Sequence, residues 1–138
     1  MLESANSKKG LNHGVYMIKT SYDEKYNAVI IEYAGKVNSA QAEQNLLDIP
    51  KAVPKHRKGF NLLVDLSELE SMDLTIQEQI ANAMDLLNAY GVTKVVRVIP
   101  DPNKDIGLNI LSIFHYSKQV KILTVESRKD AQERLRAL

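Results

Sequence analysis

From residue 60 onward, apolar runs of strand length alternate with apolar stripes at helical spacing, and few folds accommodate that alternation. The run through Phe60, Leu62, Leu63, Val64 and Leu66 has the density of a strand covered on both faces. Ile76, Ile80, Ala83, Met84, Leu87 and Tyr90 then recur at three- and four-residue intervals, the single stripe of an amphipathic helix that Gly91 is placed to end. A second interior strand is expected over residues 94–99, closed by Pro100. Asp101 followed by Pro102 has the form of a helix start, and Ile106, Ile110, Ile113 and Phe114 carry the next stripe through Tyr116. A last strand over residues 120–125 and a last helix opening at Ser127, with Asp130 three residues on, and running through Leu135 complete the series. Strands joined by helices in this way run parallel, with right-handed crossovers.

The first part of the chain has a different pattern. Residues 15–22 and 27–33 are rich in β-branched and aromatic side chains across a polar turn of Asp23, Glu24 and Lys25, which predicts an antiparallel hairpin whose second strand Gly35 breaks. Asn38 or Ser39 caps a helix carrying Ala40, Ala42, Leu46 and Leu47, with Gln41 three residues after Asn38. Pro50 and Pro54 interrupt that helix, and Gly59 ends the connection. Residues 1–14 have few apolar anchors and read as a flexible N-terminal extension, leaving 15–138 as a single domain. The expected fold is α/β: a mixed sheet of about five strands, a hairpin followed by parallel β-α-β units, covered by about four helices.

Composition narrows function mainly by exclusion. Lys and Arg number 18 against 17 Asp and Glu, a formal net charge of +1, so there is no electrostatic case for nucleic acid as the main partner. The one dense basic stretch, Lys51, Lys55, His56, Arg57 and Lys58, reads first as a solvated helix end. The chain has no cysteine, which removes disulfides, thiolate metal sites and cysteine nucleophiles. The polar start lacks the apolar core of a signal peptide, and no apolar run has the length of a transmembrane segment, so a cytoplasmic protein is the expectation.

In a parallel sheet, ligands and partners meet the C-terminal ends of the strands. Residues 65–73, 100–105 and 126–128 converge there, and each turn carries carboxylates or hydroxyls. Asp65, Asp73, Asp101 and Asp105 are the carboxylates that would gather for phosphoryl or magnesium chemistry, but the first strand ends without the acidic pair that a receiver domain needs. His13, His56 and His115 have no metal-ligand spacing, and there is no nucleophile elbow, P-loop or dinucleotide fingerprint. No catalytic residue, metal or cofactor is therefore assigned. Arg97 interrupts an otherwise apolar strand and needs either water at an edge or a carboxylate from a neighbouring strand.

Residues 65–75 read Asp-Leu-Ser-Glu-Leu-Glu-Ser-Met-Asp-Leu-Thr. This resembles the signature of STAS domains, the anti-sigma factor antagonist and sulfate transporter superfamily that includes SpoIIAA-like proteins. Asp65, Leu66, Ser67, Leu69, Met72 and Asp73 match it in order and spacing, and the element order is similar over nearly the whole chain after residue 14. The departure lies at the family's phospho-acceptor, where this chain has Leu74; Thr75 comes one residue late, and Ile76 and Gln77 replace the glycine that should follow. The resemblance implies a partner-binding turn at a helix N-terminus, with Asp65, Ser67, Met72, Asp73 and Thr75 as its residues, and does not carry over a kinase-controlled switch. Thr75 reads first as the cap of a Thr75-x-x-Glu78 capping box and only second as a phosphorylation site, since Asp73 and Glu78 would repel a phosphate.

Two functions follow as expectations. The first is a non-catalytic regulatory or protein-interaction module of the STAS type, binding a protein partner through residues 65–78. The alternative is a carrier of a small apolar ligand or lipid, because the Pro-Asp-Pro stretch and the apolar helix beyond it resemble a divergent branch with features of CRAL-TRIO domains. Leu108 and Leu111 widen the apolar girth of that helix, a surface that would equally serve a homodimer.

Overall fold

The computed structural model describes residues 16–56, 58–72, 76–100 and 116–136. Its elements, in chain order, are β1 (Tyr16–Asp23), β2 (Ala28–Val37), α1 (Ser39–Ala52), β3 (Phe60–Met72), α2 (Gln77–Ala89), β4 (Val92–Val98), β5 (Lys121–Val125) and α3 (Arg128–Arg136). They build one five-stranded sheet in the order β1-β2-β3-β4-β5. β1 is antiparallel to β2, and every later pair is parallel. This is the α/β architecture expected from the sequence. The helix predicted after Asp101 lies outside the described residues, as do residues 1–14, Arg57, His115 and the helix surface around Leu108 and Leu111.

Period-two alternation divides the strands between two cores. Val29, Ile31, Leu62 and Val95 face α1 and α2, joining Ile49, Ile76, Ile80 and Leu87 in the larger cluster. Ala28, Ile30, Leu63, Val96 and Val98 face the other way and are covered by Ala131 and Leu135 of α3. Because the strand order is sequential and the crossovers turn one way, α1 and α2 share a face. α3 follows the last strand and is free to take the other.

Local signals explain most boundaries. The hairpin turns where Asp23 Oδ1 accepts the Lys25 N–H at 2.9 Å and Asn27 takes φ 50°, a left-handed conformation that asparagine tolerates. At the start of α1, Asn38 Oδ1 accepts the Gln41 N–H at 3.1 Å and Gln41 Oε1 accepts the Asn38 N–H at 3.0 Å. Such a box contributes about 1 kcal/mol. Ser127 Oγ accepts the Asp130 N–H at 3.1 Å and opens α3 as its spacing predicted. α1 does not stop at Pro50; it continues to Ala52, with Val53 donating to Ile49 O at its C-terminus.

Two expectations need correction. Gly35 does not break β2, which runs on to Val37. Its φ of 69° instead fits one of two register shifts against β3, a bulge that a side chain at that position would oppose. Likewise, residues 65–72 are not a turn. β3 continues through them to Met72, paired with β2 beyond the point where β4 has ended.

Candidate functional site

The Asp65-Leu66-Ser67 stretch sits where β3 passes the C-terminal end of β4. Asp65 is the register partner of Glu32 on β2 and of Val98 on β4, so it faces the α3 side of the sheet. The next pairing with β2 is Ala34 with Glu68, which leaves an extra residue on β3. A bulge of this kind strands a backbone N–H. Here Asp65 Oδ1 takes it, accepting the Ser67 N–H at 2.9 Å and the Ser67 hydroxyl at 2.6 Å. The Asp-Leu-Ser order thus has a direct geometric role, since a carboxylate two residues before the bulge reaches its free donor.

The other oxygen of Asp65 is held from α3. Arg128 Nη1 donates to Asp65 Oδ2 at 2.9 Å and to Glu32 Oε2 at 3.0 Å, tying three elements together at one rim. Asp65 is 7% exposed, so its charge needs these donors. Partial burial opposes the charge of Arg128, but bonding to Glu32 and then Asp65 outweighs it and holds the guanidinium above its ordinary range. The two carboxylates also offset the cost of a cation in the first turn of a helix, where the dipole favours anions.

Beyond the bulge, Leu66 and Leu69 are buried while Ser67, Glu68, Glu70 and Ser71 are exposed. Met72 is half-buried at the end of β3. Asp73 and Thr75 lie outside the described residues, and so does the Thr75-x-x-Glu78 box; the described helix begins at Gln77 with Ile76 at the cap position. Of the residues read from sequence, Asp65 and Ser67 are brought into direct contact. Arg128 and Glu32 were missed. An arginine in the opening turn of the last helix, within a segment expected at this rim, and a lone glutamate in an apolar strand were the available signals.

Arg97, the charge that interrupts β4, lies inside the fold. It is 5% exposed and shares its register position with Val64, one residue from Asp65 and therefore on the opposite face. Its Nη2 donates to Thr124 Oγ1 on β5 at 2.8 Å. It lines a cavity of about 30 Å³ with Tyr33, Val64, Met84, Leu87 and Tyr116. That volume holds about one water molecule. Among the described residues, no group of three or more His, Asp or Glu side chains is placed to hold a metal. None of the described helices is long and apolar enough to cross a membrane.

No family model and no curated protein matches this chain. Solved structures do. An uncharacterized DUF3478-family protein with a SpoIIAA-like fold, from Shewanella loihica PV-4, is 15% identical with a TM-score of 0.65, covering 91% of this chain and 99% of its own. The anti-sigma factor antagonist SpoIIAA in its unphosphorylated form is 16% identical with a TM-score of 0.58, covering 88% of this chain and 100% of its own. An anti-sigma factor antagonist from Mycobacterium paratuberculosis is 18% identical with a TM-score of 0.55, covering 87% and 95%. The fold is SpoIIAA-like, as the resemblance at residues 65–75 implied. At these identities the likeness is one of fold.

Proposed function

We propose that this chain is a non-catalytic, cytoplasmic regulatory module of the STAS type that binds a protein partner through residues 65–78, without a phosphoserine switch. The observation that carries the reading is the bulge at Asp65 and Ser67. Its conformation is held from inside by Arg128, while Ser67, Glu68, Glu70 and Ser71 turn outward on the strand that leads to α2. A surface held in one conformation before binding loses little entropy on docking. Two of the similar structures are anti-sigma factor antagonists, which agrees with a partner-binding role. Leu74, where the family has its phospho-acceptor, supports leaving out the switch. The carrier alternative rests on the helix carrying Leu108 and Leu111, which lies outside the described residues.

The test is a comparative pull-down from native lysate with wild type, Met72→Glu and Glu70→Arg, each confirmed folded by circular dichroism. One or more partners captured by wild type should be lost from both variants. Equal recovery of every partner would overturn this surface. Phosphate gained at Ser67 or Thr75 after incubation with extract and ATP would overturn the absence of a switch.

A further inference from the structure

The near-balance of charge along the chain does not survive folding. At the C-terminal rim of the sheet lie Glu32, Asp65, Glu68, Glu70, Glu126 and Asp130, with Arg128 joined to two of them. The N-terminal rim gathers cations at one corner, while Asp23 and Glu24 lie at the same rim in the turn between β1 and β2. Lys94 on β4 and Lys121 on β5 are register partners, so two lysines stand side by side on adjacent parallel strands. Their parity is that of Val96 and Leu123, which places both on the α3 face. α3 runs back across that face and delivers Arg134 to the same corner, where its carbonyl accepts from Lys94 Nζ at 2.5 Å. Next to it, Arg136 donates to the Tyr26 hydroxyl at 3.2 Å, and Lys25 lies 5.4 Å from the centre of the Tyr26 ring.

We propose that the corner formed by Lys94, Lys121 and Arg134 is a binding site for a phosphate-class oxyanion.

Capping α3 explains only part of this arrangement. A lysine at a helix C-terminus offsets the negative end of the dipole, and Lys94 does so while only 7% exposed. An ammonium has three donors, and the Arg134 carbonyl takes one. The cap does not require Lys121 directly opposite, and the exposed Arg134 side chain lies nearby along a groove that it shares with Glu126, Asp130 and Glu133. Like charges paired across a sheet are unfavourable. Among the described residues, no carboxylate forms an ion pair with any of the three. Burial, then Lys121, then Arg134 push the Lys94 ammonium below the ordinary lysine range, so the charges acting on it are themselves positive. An oxyanion carrying two or more negative oxygens converts that repulsion into charge-assisted hydrogen bonds. Phosphate also suits the mixture of point-charge lysines with a guanidinium fork.

The site is tested with pyrophosphate and with phosphatidylcholine vesicles containing phosphatidic acid, on wild type, Lys121→Gln/Arg134→Gln and Lys121→Arg. Lys121 and Arg134 are exposed, so the double variant keeps the fold, which circular dichroism confirms. Pyrophosphate should raise the Tm of wild type beyond sodium chloride of equal ionic strength and shift the backbone amides of Lys94, Lys121 and Arg134. The double variant should bind at least tenfold more weakly, and Lys121→Arg should retain binding. Binding confined to the vesicles and lost in the double variant would support the site with its phosphate on a lipid headgroup. No binding of either probe, or equal affinity in wild type and double variant, would overturn the proposal.

Discussion

The two rims of the sheet handle charge in opposite ways. At the C-terminal rim, Arg128 answers Asp65 and Glu32 within 3.0 Å, and the result is structural: a bulge held open and a helix tied down. At the N-terminal rim, Lys94 has Lys121 and Arg134 for neighbours, and its described hydrogen bond is to a backbone carbonyl. A paired buried charge is accounted for by the fold around it. A cluster of one sign stores repulsion, and it is explained better by something that binds there. Similar residue types thus serve architecture at one end of the strands and recognition at the other.

The largest expected effect comes from forcing a further charge into the core face, where Arg97 already lies beside Tyr33 and Tyr116. Burial raises the Tyr33 hydroxyl from 10.0 to about 12, and burial followed by Tyr33 itself raises Tyr116 as well. Both groups hold their protons more tightly folded than unfolded. Their contribution is therefore complete below pH 10 and is lost as pH climbs through the folded values, on the order of 2–3 kcal/mol for Tyr33. Urea unfolding from pH 8 to 12 should show this decline, flattened in Tyr33→Phe.

Removing the anchor of the paired rim comes next. Asp65→Ala leaves the Ser67 N–H without its acceptor and should lower unfolding stability by about 1–3 kcal/mol. Arg128→Gln should cost about 1 kcal/mol, since Arg128 is partly exposed and screened. A double-mutant cycle with Asp65→Ala should return a coupling energy; additivity would mean that the two rims differ less than supposed.

The smallest effect has the opposite sign. Lys121→Gln should stabilise the protein by a few tenths of a kcal/mol in low-salt buffer without phosphate, and the gain should fade at high salt. Loss of stability instead would show that Lys121 belongs to a structural network. The pH dependence separates the rims too. Because the folded Lys94 value is depressed, its unfavourable contribution is relieved as pH rises from that value towards 10.5, a rise that Lys94→Met should lack.

Much of this molecule was legible in its residues. The apolar run from Phe60 and the stripe from Ile76 to Leu87 mark β3 and α2, because burial on two faces and burial on one leave different periodicities. Asn38 with Gln41, and Ser127 with Asp130, mark helix starts because capping is a local bond. Gly35 misled, since a left-handed glycine suits a turn and a bulge equally, and only a neighbouring strand decides between them. The stretch after Asp65 misled for a related reason. Its alternation of Ser, Glu and Leu resembles a polar turn until β2 is present to pair with it.

The sequence alone thus determined the order of the described elements and the mixed sheet, which rest on periodicity and near-neighbour chemistry. Tertiary structure alone decided which charges meet. Arg128 lies 63 positions from Asp65, and Lys94 faces Lys121 only because β4 and β5 are in register. Net charge is a sum and contains no positions. Folding supplies them, setting Arg128 between two carboxylates at one end of the strands and Lys94 beside Lys121 at the other.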